Sequence, residues 1–220
     1  NVSAIESIEN MKRSVEMIQA DAIQLHINHG QELSMAEGDR DFSNILNNIE
    51  EAVKKLHVPV IVKEVGTGIS KEAARKFAEL GVRNFDTGGL GGTNFPYIEE
   101  QRLGSSNHLL SEIGIPTPAS IIEVKSVVDY NSIIFASGGI RTSMHIVKAL
   151  LLGAHIAGLA SYFLKKYTDF GEKFLTEDIA KMIMEIKKIF VVMNFQNLED
   201  VKNGKIVLKN EIKEWIDQRI

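Results

Sequence analysis

Residues 22–28 read Ala-Ile-Gln-Leu-His-Ile-Asn, and this stretch decides the fold class. Ile23, Leu25 and Ile27 alternate with polar residues, which predicts a β-strand with one apolar and one polar face. A central strand of an open parallel sheet is apolar on both faces, whereas a barrel strand can carry polar side chains inward near the mouth. Lys63, within a second apolar run, also fits an open sheet poorly. We therefore predict an α/β protein with a (β/α)8 TIM-type barrel rather than an open doubly wound sheet.

Strand-like and helix-like segments alternate around this stretch, which indicates parallel strands joined by right-handed crossovers. Further strands are predicted over residues 58–65, 82–87, 132–137 and 155–160, with a short one over 206–208. Helices are predicted over residues 5–18, 45–56, 70–80, 120–129, 142–152 and 176–194, with a last one near the C-terminus. We expect side-chain caps at Ser3 (with Glu6 completing a capping box), Ser70, Ser120 and Thr142.

Composition excludes several functional classes. The 220 residues contain no cysteine, so a catalytic thiol, an iron–sulfur cluster and a thiolate zinc site are excluded. The formal net charge of −4 is unlike the basic face expected of a protein that binds nucleic acid. No apolar run reaches the roughly 18 residues that a membrane span needs, and no secretory leader is visible. These features favour a cytoplasmic protein without nucleic-acid or membrane partners.

Polar or glycine-rich clusters follow every predicted strand, and in parallel α/β folds the C-terminal strand ends form the active face. Residues 137–141 read Ser-Gly-Gly-Ile-Arg before a helix capped at Thr142. This arrangement suits a phosphate, because glycine lets backbone N–H groups approach an anion and the helix N-terminus adds positive potential. A tight strand–helix turn is the alternative interpretation. Ala160-Ser161, two elements later, favours the phosphate, because the loops after strands seven and eight form the usual barrel site.

Two further positions carry candidate chemistry. Lys63 lies inward on its strand and suits an anionic or electron-rich cofactor, although a lysine reaching from a strand end to water is the alternative. Gln31 and Glu32 follow the polar-faced strand directly. Mg²⁺ often takes only one or two carboxylates together with substrate phosphates, so Glu32 is a candidate ligand or, alternatively, a solvated loop acid.

Together these clusters resemble the signatures of the type 2 isopentenyl diphosphate isomerase family. The matching segments are residues 26–32 (His-Ile-Asn-His-Gly-Gln-Glu), 37–39 (Glu-Gly-Asp), 59–66 (Pro-Val-Ile-Val-Lys-Glu-Val-Gly), 88–95 (Gly-Gly-Leu-Gly-Gly-Thr-Asn-Phe) and 137–141. The first and fourth segments together are specific, while each segment alone is shared with other flavin barrels. The resemblance extends from the first helix to about Ser161, with a weaker match beyond.

The resemblance implies an isomerase that interconverts isopentenyl and dimethylallyl diphosphate in isoprenoid biosynthesis. Such an enzyme uses reduced FMN as its acid–base cofactor, with Mg²⁺, with NADPH as reductant and without net redox change. The implied partners are the isoprenoid diphosphate substrate and further copies of the chain, as a tetramer or an octamer.

The resemblance also assigns roles to particular residues. Gln31 would be catalytic, orienting or relaying a proton at the substrate, and Asn28 would bind substrate beside it. Glu32 would hold Mg²⁺ against the diphosphate. The implied FMN-binding residues are Lys63, Gly88, Thr93, Gly138, Gly139, Ile140, Arg141, Ala160 and Ser161.

The family's first barrel strands do not match any part of this sequence. If residues 132–137 and 155–160 are the seventh and eighth strands, residues 22–28 form about the fourth. We therefore expect residues 1–220 to form a single domain, the C-terminal portion of an FMN-binding barrel with about strands four to eight. An upstream segment would pair with the open edge of the strand at 22–28.

Two other functions remain open. Another FMN-dependent barrel oxidoreductase, such as an α-hydroxy-acid oxidase, would need a His base and an Arg after the glycine run, where Asn94-Phe95-Pro96 stand instead. A flavin-binding or phosphate-binding scaffold without turnover would have no use for Gln31 and Glu32 beside the substrate space.

Overall fold

Five parallel strands form one sheet whose spatial order follows the order of the chain. The computed structural model describes residues 1–3, 5, 7–104 and 108–220. The strands are β1 (Ile23–Ile27), β2 (Val60–Glu64), β3 (Asn84–Asp86), β4 (Ile133–Ala136) and β5 (Ile156–Ala157). Consecutive parallel neighbours with helical crossovers are the repeating unit of a (β/α)8 barrel. The predicted barrel class is therefore confirmed for these five strands, and β1 and β5 are the edges of the described sheet.

Ten helices lie in the described part of the chain. They are α1 (Ile8–Met17), α2 (His29–Ser34), α3 (Ile45–Lys55), α4 (Lys71–Glu79), α5 (Phe95–Arg102), α6 (Thr117–Lys125), α7 (Ser143–Leu152), α8 (Ser161–Val192), α9 (Leu198–Lys202) and α10 (Asn210–Arg219). None of the helices in these described ranges is long and apolar enough to cross a membrane.

The core lies between the sheet and the helices that cover its outer face. Val62, Phe85 and Ile134, from the three central strands, are almost completely buried there. His26 pairs in register with Lys63, and Lys63 pairs with Asp86. Since side chains alternate between the faces of a strand, the apolar residues anchor the sheet while polar residues occupy its inner face. The two-faced pattern read from residues 22–28 thus extends from β1 to β3, whereas on β4 the register partner of Asp86 is the apolar Phe135.

Two of the four predicted helix caps, Ser70 and Thr142, are confirmed by the structure. The Ser70 side chain accepts a hydrogen bond from the Ala73 backbone N–H at the start of α4, and Thr142 does the same for His145 at the start of α7. Gly153 ends α7 with φ +119°, a backbone conformation that glycine adopts without a Cβ clash.

The predicted start of the first helix, at residue 5, is wrong by three residues. The helix begins at Ile8, and Ser7 rather than Ser3 is its cap, accepting from the Asn10 backbone N–H. Glu6, the other half of the predicted capping box, lies outside the described residues.

The helix predicted from Ser120 also begins elsewhere. It starts at Thr117, directly after Pro116, because proline is well suited to a helix N-terminus. Ser120 lies inside the helix, and its hydroxyl accepts from the Ile69 N–H at 2.9 Å and donates to the Ile69 carbonyl at 2.8 Å. The hydroxyl therefore fastens α6 to the loop after β2 instead of capping a helix.

Two predictions near the C-terminus differ from the structure. The long helix begins at Ser161 rather than near Thr176, and it is interrupted at Gly171, where φ is +82°. Residues 206–208 do not form a strand. Ile206 and Leu208 instead pack as partly buried side chains against the core. The alternating apolar pattern of this segment therefore reflects core packing and not strand pairing.

Candidate functional site

A cleft of about 350 Å³ opens at the C-terminal ends of the strands. Its volume lies in the range of small-molecule and cofactor sites, roughly 300–1,000 Å³. We call it the glycine cleft, because two glycine-rich loops, residues 88–93 and 137–141, form much of its wall. Eight of the predicted FMN-binding residues line it, namely Lys63, Gly88, Thr93, Gly138, Gly139, Ile140, Ala160 and Ser161.

The two glycine loops interlock at backbone distance. A Cβ atom on Gly139 would lie 2.2 Å from the Gly91 carbonyl oxygen, and one on Gly92 would lie 2.6 Å from the Gly139 nitrogen. Gly139 also has φ +75°, which strains any residue with a side chain. The glycines are therefore required for loop packing, and their bare backbone leaves the cleft wall open to a ligand.

One end of the glycine cleft suits an anion. The backbone N–H groups that begin a helix lack intrahelical partners and favour negative charge. At α7 the Thr142 hydroxyl already accepts a hydrogen bond from one of these groups, the His145 backbone N–H, at 3.1 Å. At α8 the residue before the helix is Ala160, which makes no side-chain cap. Because Ala160 and Ser161 line the glycine cleft, the start of α8 offers its donors there.

Arg141 is the predicted FMN-binding residue that does not line the glycine cleft. Its guanidinium donates a hydrogen bond to the Gly91 carbonyl at 3.0 Å. It borders a separate groove, with His145 and Lys148, on the outer side of the same loop. The structure thus places Arg141 behind the glycine loop, where it supports the loop backbone.

A second group of side chains, the amide–acid cluster, consists of Asn28, Gln31, Glu32 and Glu99. The Asn28 side-chain amide donates to Glu32 Oε1 at 2.9 Å and to Gln31 Oε1 at 3.3 Å. Gln31 Nε2 lies 3.5 Å from Glu99 Oε1 on α5. Because α5 begins at Phe95 in the wall of the glycine cleft, this helix connects the cluster to the cleft. The structure therefore brings together the three cluster residues that the sequence singled out.

Glu32 is buried, and hydrogen bonds already occupy much of its carboxylate. Its Oε1 accepts from Asn28 and from the Asn1 side-chain amide, and its Oε2 accepts from the Asp39 backbone N–H at 2.8 Å. A carboxylate has about four acceptor positions, so one position is left for a cation. Among the described residues no group of three or more His, Cys, Asp or Glu side chains could hold a metal. Glu32 thus fits a magnesium ion only as a single ligand, with substrate oxygens and water completing the shell.

Three titratable side chains form a row on the inner face of the sheet. His26, Lys63 and Asp86 are register neighbours on β1, β2 and β3. Burial, together with nearby positive charge that includes Lys63, lowers the pKa of His26 to about 4, so the imidazole is neutral at pH 7. Burial raises the pKa of Asp86, while the hydrogen bond from Ser137 and the charge of Lys63 oppose that rise. Lys63 is therefore the cationic member of this row.

Glu64 is another buried carboxyl group in the cleft wall. Burial raises its pKa to about 7, against hydrogen bonds from Thr67 and the Val65 backbone. Its backbone carbonyl accepts a hydrogen bond from Lys63 Nζ at 2.9 Å. Glu64 thus holds the Lys63 ammonium through its main chain.

Sequence reasoning assigned no role to Asp86 or Glu99. Asp86 could have been found, because it is the inward acid one strand from Lys63 at the same level of the predicted barrel. Glu99 gives no such signal in the sequence. It reaches Gln31 only because α5 forms after the glycine run, and no helix was predicted there.

Comparison with known protein families gives one match over most of the chain. The model of the FMN-dependent dehydrogenase family matches residues 8–208. The match includes every predicted site residue, from Asn28 to Ser161.

Curated relatives share about two fifths of the residues. The chain is 40% identical over 219 residues to an isopentenyl-diphosphate delta-isomerase of Bacillus licheniformis, covering all of this chain and 62% of the relative. It is equally similar to the enzyme of that name from Moorella thermoacetica, with 40% identity and 63% of the relative covered. The chain therefore spans less than two thirds of the length of these relatives.

Solved structures match at the level of the fold. A mandelate oxidase with benzoyl-formic acid superposes with a TM-score of 0.66 at 14% identity, over 90% of this chain and 58% of that one. A GMP reductase from Trypanosoma brucei gives 0.62 at 18% identity, over 93% and 45%. The chain thus has the fold of part of these longer barrel enzymes.

Proposed function

Because the chain belongs to the FMN-dependent dehydrogenase family, we propose that it is the cofactor-binding and metal-binding portion of an enzyme that interconverts isopentenyl and dimethylallyl diphosphate. The similarity to isopentenyl-diphosphate delta-isomerases over the whole chain supports this function. One structural observation carries the proposal: the Asn28, Gln31 and Glu32 side chains are connected by hydrogen bonds and joined through α5 to the glycine cleft. A scaffold that only binds a cofactor has no need for this cluster.

We propose that FMN occupies the glycine cleft. The backbone of Gly138 and Gly139 and the start of α8 would hold its phosphate, because both present N–H groups to an anion. Lys63 and Thr93, which also line the cleft, would contact the rest of the cofactor. Bound in reduced form, with NADPH as the proposed reductant, FMN would supply acid–base chemistry at carbon without net redox change.

The amide–acid cluster would act on the substrate. Gln31 would orient the alkene or relay a proton, since its amide both donates and accepts hydrogen bonds and is already aligned by Asn28 and Glu99. Glu32 would hold Mg²⁺ with its remaining acceptor position, and the ion would neutralise the substrate diphosphate. Asn28 would keep the Glu32 carboxylate pointing toward that ion.

The whole enzyme would contain more than these five strands. We propose that residues 1–220 form the C-terminal portion of the barrel and that the relatives' additional length supplies the remaining strands, one of which pairs with β1. Exposed apolar side chains on α8, among them Tyr167, Phe170 and Phe174, support assembly into a homo-oligomer. Location in the cytoplasm stays a prediction.

Glu32→Gln in the full-length protein tests the proposal. Wild-type protein should convert isopentenyl diphosphate with FMN, Mg²⁺ and NADPH, giving many product molecules for each NADPH consumed. Glu32→Gln should keep FMN and lose turnover by orders of magnitude, with partial recovery at high Mg²⁺. Glu50→Gln, which removes an exposed carboxylate paired with Lys54, is the matched control and should keep full activity. Stoichiometric NADPH consumption, or normal turnover of Glu32→Gln at low Mg²⁺, would contradict the proposal.

A further inference from the structure

Asp86 is a buried carboxyl group in the glycine cleft that none of the proposed catalytic roles uses. It is 7% exposed and lies at the end of β3. The Ser137 hydroxyl donates a hydrogen bond to Asp86 Oδ1 at 2.5 Å, and this bond links the end of β3 to the loop that follows β4. Asp86, Ser137 and Lys63 all line the glycine cleft. An acid that is held by a neighbouring loop and lines a ligand space has a fixed direction.

The nearest cation to consider is Lys63. Lys63 and Asp86 are register partners on adjacent strands, whose backbones lie about 4.8 Å apart. The Lys63 ammonium donates its hydrogen bond to the Glu64 carbonyl, so Asp86 acts on it through space. His26, the partner of Lys63 on its other side, is neutral at pH 7 because its pKa lies at about 4. Asp86 is therefore the acid that faces Lys63 within this row.

We propose that Asp86 is the counter-charge of Lys63 and sets how strongly the glycine cleft favours a negatively charged ligand state. This inference rests on the proposed binding of FMN, whose reduced form is an anion when its ring is deprotonated. With Asp86 ionised, the row is close to neutral. With Asp86 removed, the partly ionised Glu64 is the remaining acid near Lys63, so the Lys63 charge is less compensated and stabilises an anion beside it more strongly. Asp86 is thus a positioning residue that acts through Lys63, and Ser137 fixes where its charge lies.

The size of the effect follows from Coulomb's law. Two unit charges about 6 Å apart, with an effective dielectric constant near 20, interact strongly enough to change an equilibrium constant by about two powers of ten. Solvent in the open cleft weakens this interaction. We therefore expect about a tenfold change in the relative affinity for anionic reduced FMN and oxidised FMN.

Asp86→Asn in the full-length protein is the test, because Asn keeps the shape and can still accept from Ser137. The dissociation constants of oxidised and reduced FMN are measured for each variant. Asp86→Asn should shift their ratio about tenfold toward reduced FMN, which is about 30 mV for a two-electron couple. Glu50→Gln is the control: it removes an exposed carboxylate that pairs with Lys54 and does not line the glycine cleft, so its ratio should stay within about twofold. A twofold or smaller shift in Asp86→Asn, or a shift toward oxidised FMN, would overturn the proposal.

A second measurement does not depend on FMN. In flavin-free protein, acylation of Lys63 by an amine-reactive ester is followed by mass spectrometry at pH 8. Without its counter-charge the ammonium gives up its proton more readily, so Lys63 should be acylated several-fold faster in Asp86→Asn than in wild type, while Glu50→Gln stays close to wild type. Equal rates would refute the coupling even if FMN binds. Failure of wild-type protein to bind FMN, with acylation rates that differ as expected, would instead refute only the proposed function.

Discussion

Glu123→Ala should detach the C-terminal helix α10 from the barrel. Glu123 is completely buried on α6, and both of its oxygens are occupied. Oε1 accepts from Trp215 Nε1 at 2.6 Å and from Arg219 Nε at 3.1 Å, while Oε2 accepts from the Lys71 backbone N–H at 2.8 Å and from Arg219 Nη2 at 3.1 Å. Since α10 has no fully buried residue of its own, this carboxylate supplies much of its attachment.

The magnitude follows from the groups left without partners. Removing one member of a buried charged pair costs about 3–5 kcal/mol. Each buried donor left without an acceptor costs about 1–3 kcal/mol, and here the Trp215 and Lys71 N–H groups lose theirs. Arg219 keeps an ion pair with Glu72 at 2.6 Å, which reduces the loss. We therefore expect Glu123→Ala to lower the free energy of unfolding by about 3–4 kcal/mol.

Trp215 provides the assay, because it is the only tryptophan in the chain. Urea unfolding followed by its fluorescence should show a red-shifted emission at low urea for Glu123→Ala, before the far-ultraviolet circular dichroism changes. Glu72→Gln is the control: its carboxylate is exposed on the other side of Arg219, and an exposed pair contributes only about 0–1 kcal/mol. A loss below about 1 kcal/mol for Glu123→Ala, with unchanged emission, would refute the reasoning.

The same carboxylate gives an expected pH dependence. Burial would raise the pKa of Glu123, but hydrogen bonds from Arg219, Trp215 and the Lys71 backbone outweigh it and hold the pKa below its ordinary value. A carboxyl group whose pKa is lower in the folded state stabilises the fold above its unfolded pKa and loses that contribution as the pH falls through the folded pKa. Acid titration of the wild-type protein below about pH 4.5 should therefore reproduce the Trp215 red shift.

Three further outcomes concern the site. Gly139→Val should yield colourless, poorly folded protein, because the added Cβ would collide with the Gly91 carbonyl. Gly171→Ala is the control and should keep its flavin, because Gly171 has a similar positive φ but open space around it. Arg141→Ala should weaken FMN binding less than tenfold in an equilibrium titration, because the guanidinium supports the Gly91 loop from outside the cleft. Gln31→Ala should lower turnover about 10²–10⁴-fold with flavin absorbance unchanged; a change confined to substrate affinity would make Gln31 a binding residue only.

The sequence by itself determined the barrel class and the position of the glycine cleft. The two-faced pattern of residues 22–28 implied a polar inner face, and β1 and its neighbours have one. The glycine runs at residues 88–93 and 137–141 follow their strands directly, so strand order alone places them at one edge. Ser70 and Thr142 are caps as predicted, because a cap depends on a few adjacent residues. Ser3 and Ser120 are not caps, because their helices begin elsewhere.

Only the tertiary structure decided which side chains meet. Glu99 contacts Gln31, from which it is separated by 68 positions in the sequence. The contact depends on α5, a helix whose sequence lacks a clear apolar periodicity and which was therefore not predicted. Arg141 follows the phosphate-type loop in sequence, yet its side chain turns to the Gly91 carbonyl, because the direction of a flexible side chain depends on acceptors that folding brings near. The pairing of Asp86 with Lys63 depends on strand register, and the burial of Glu123 on the docking of α10. Local patterns fix most elements and some of their ends, whereas contacts between distant residues arise only once the sheet and its helices are packed.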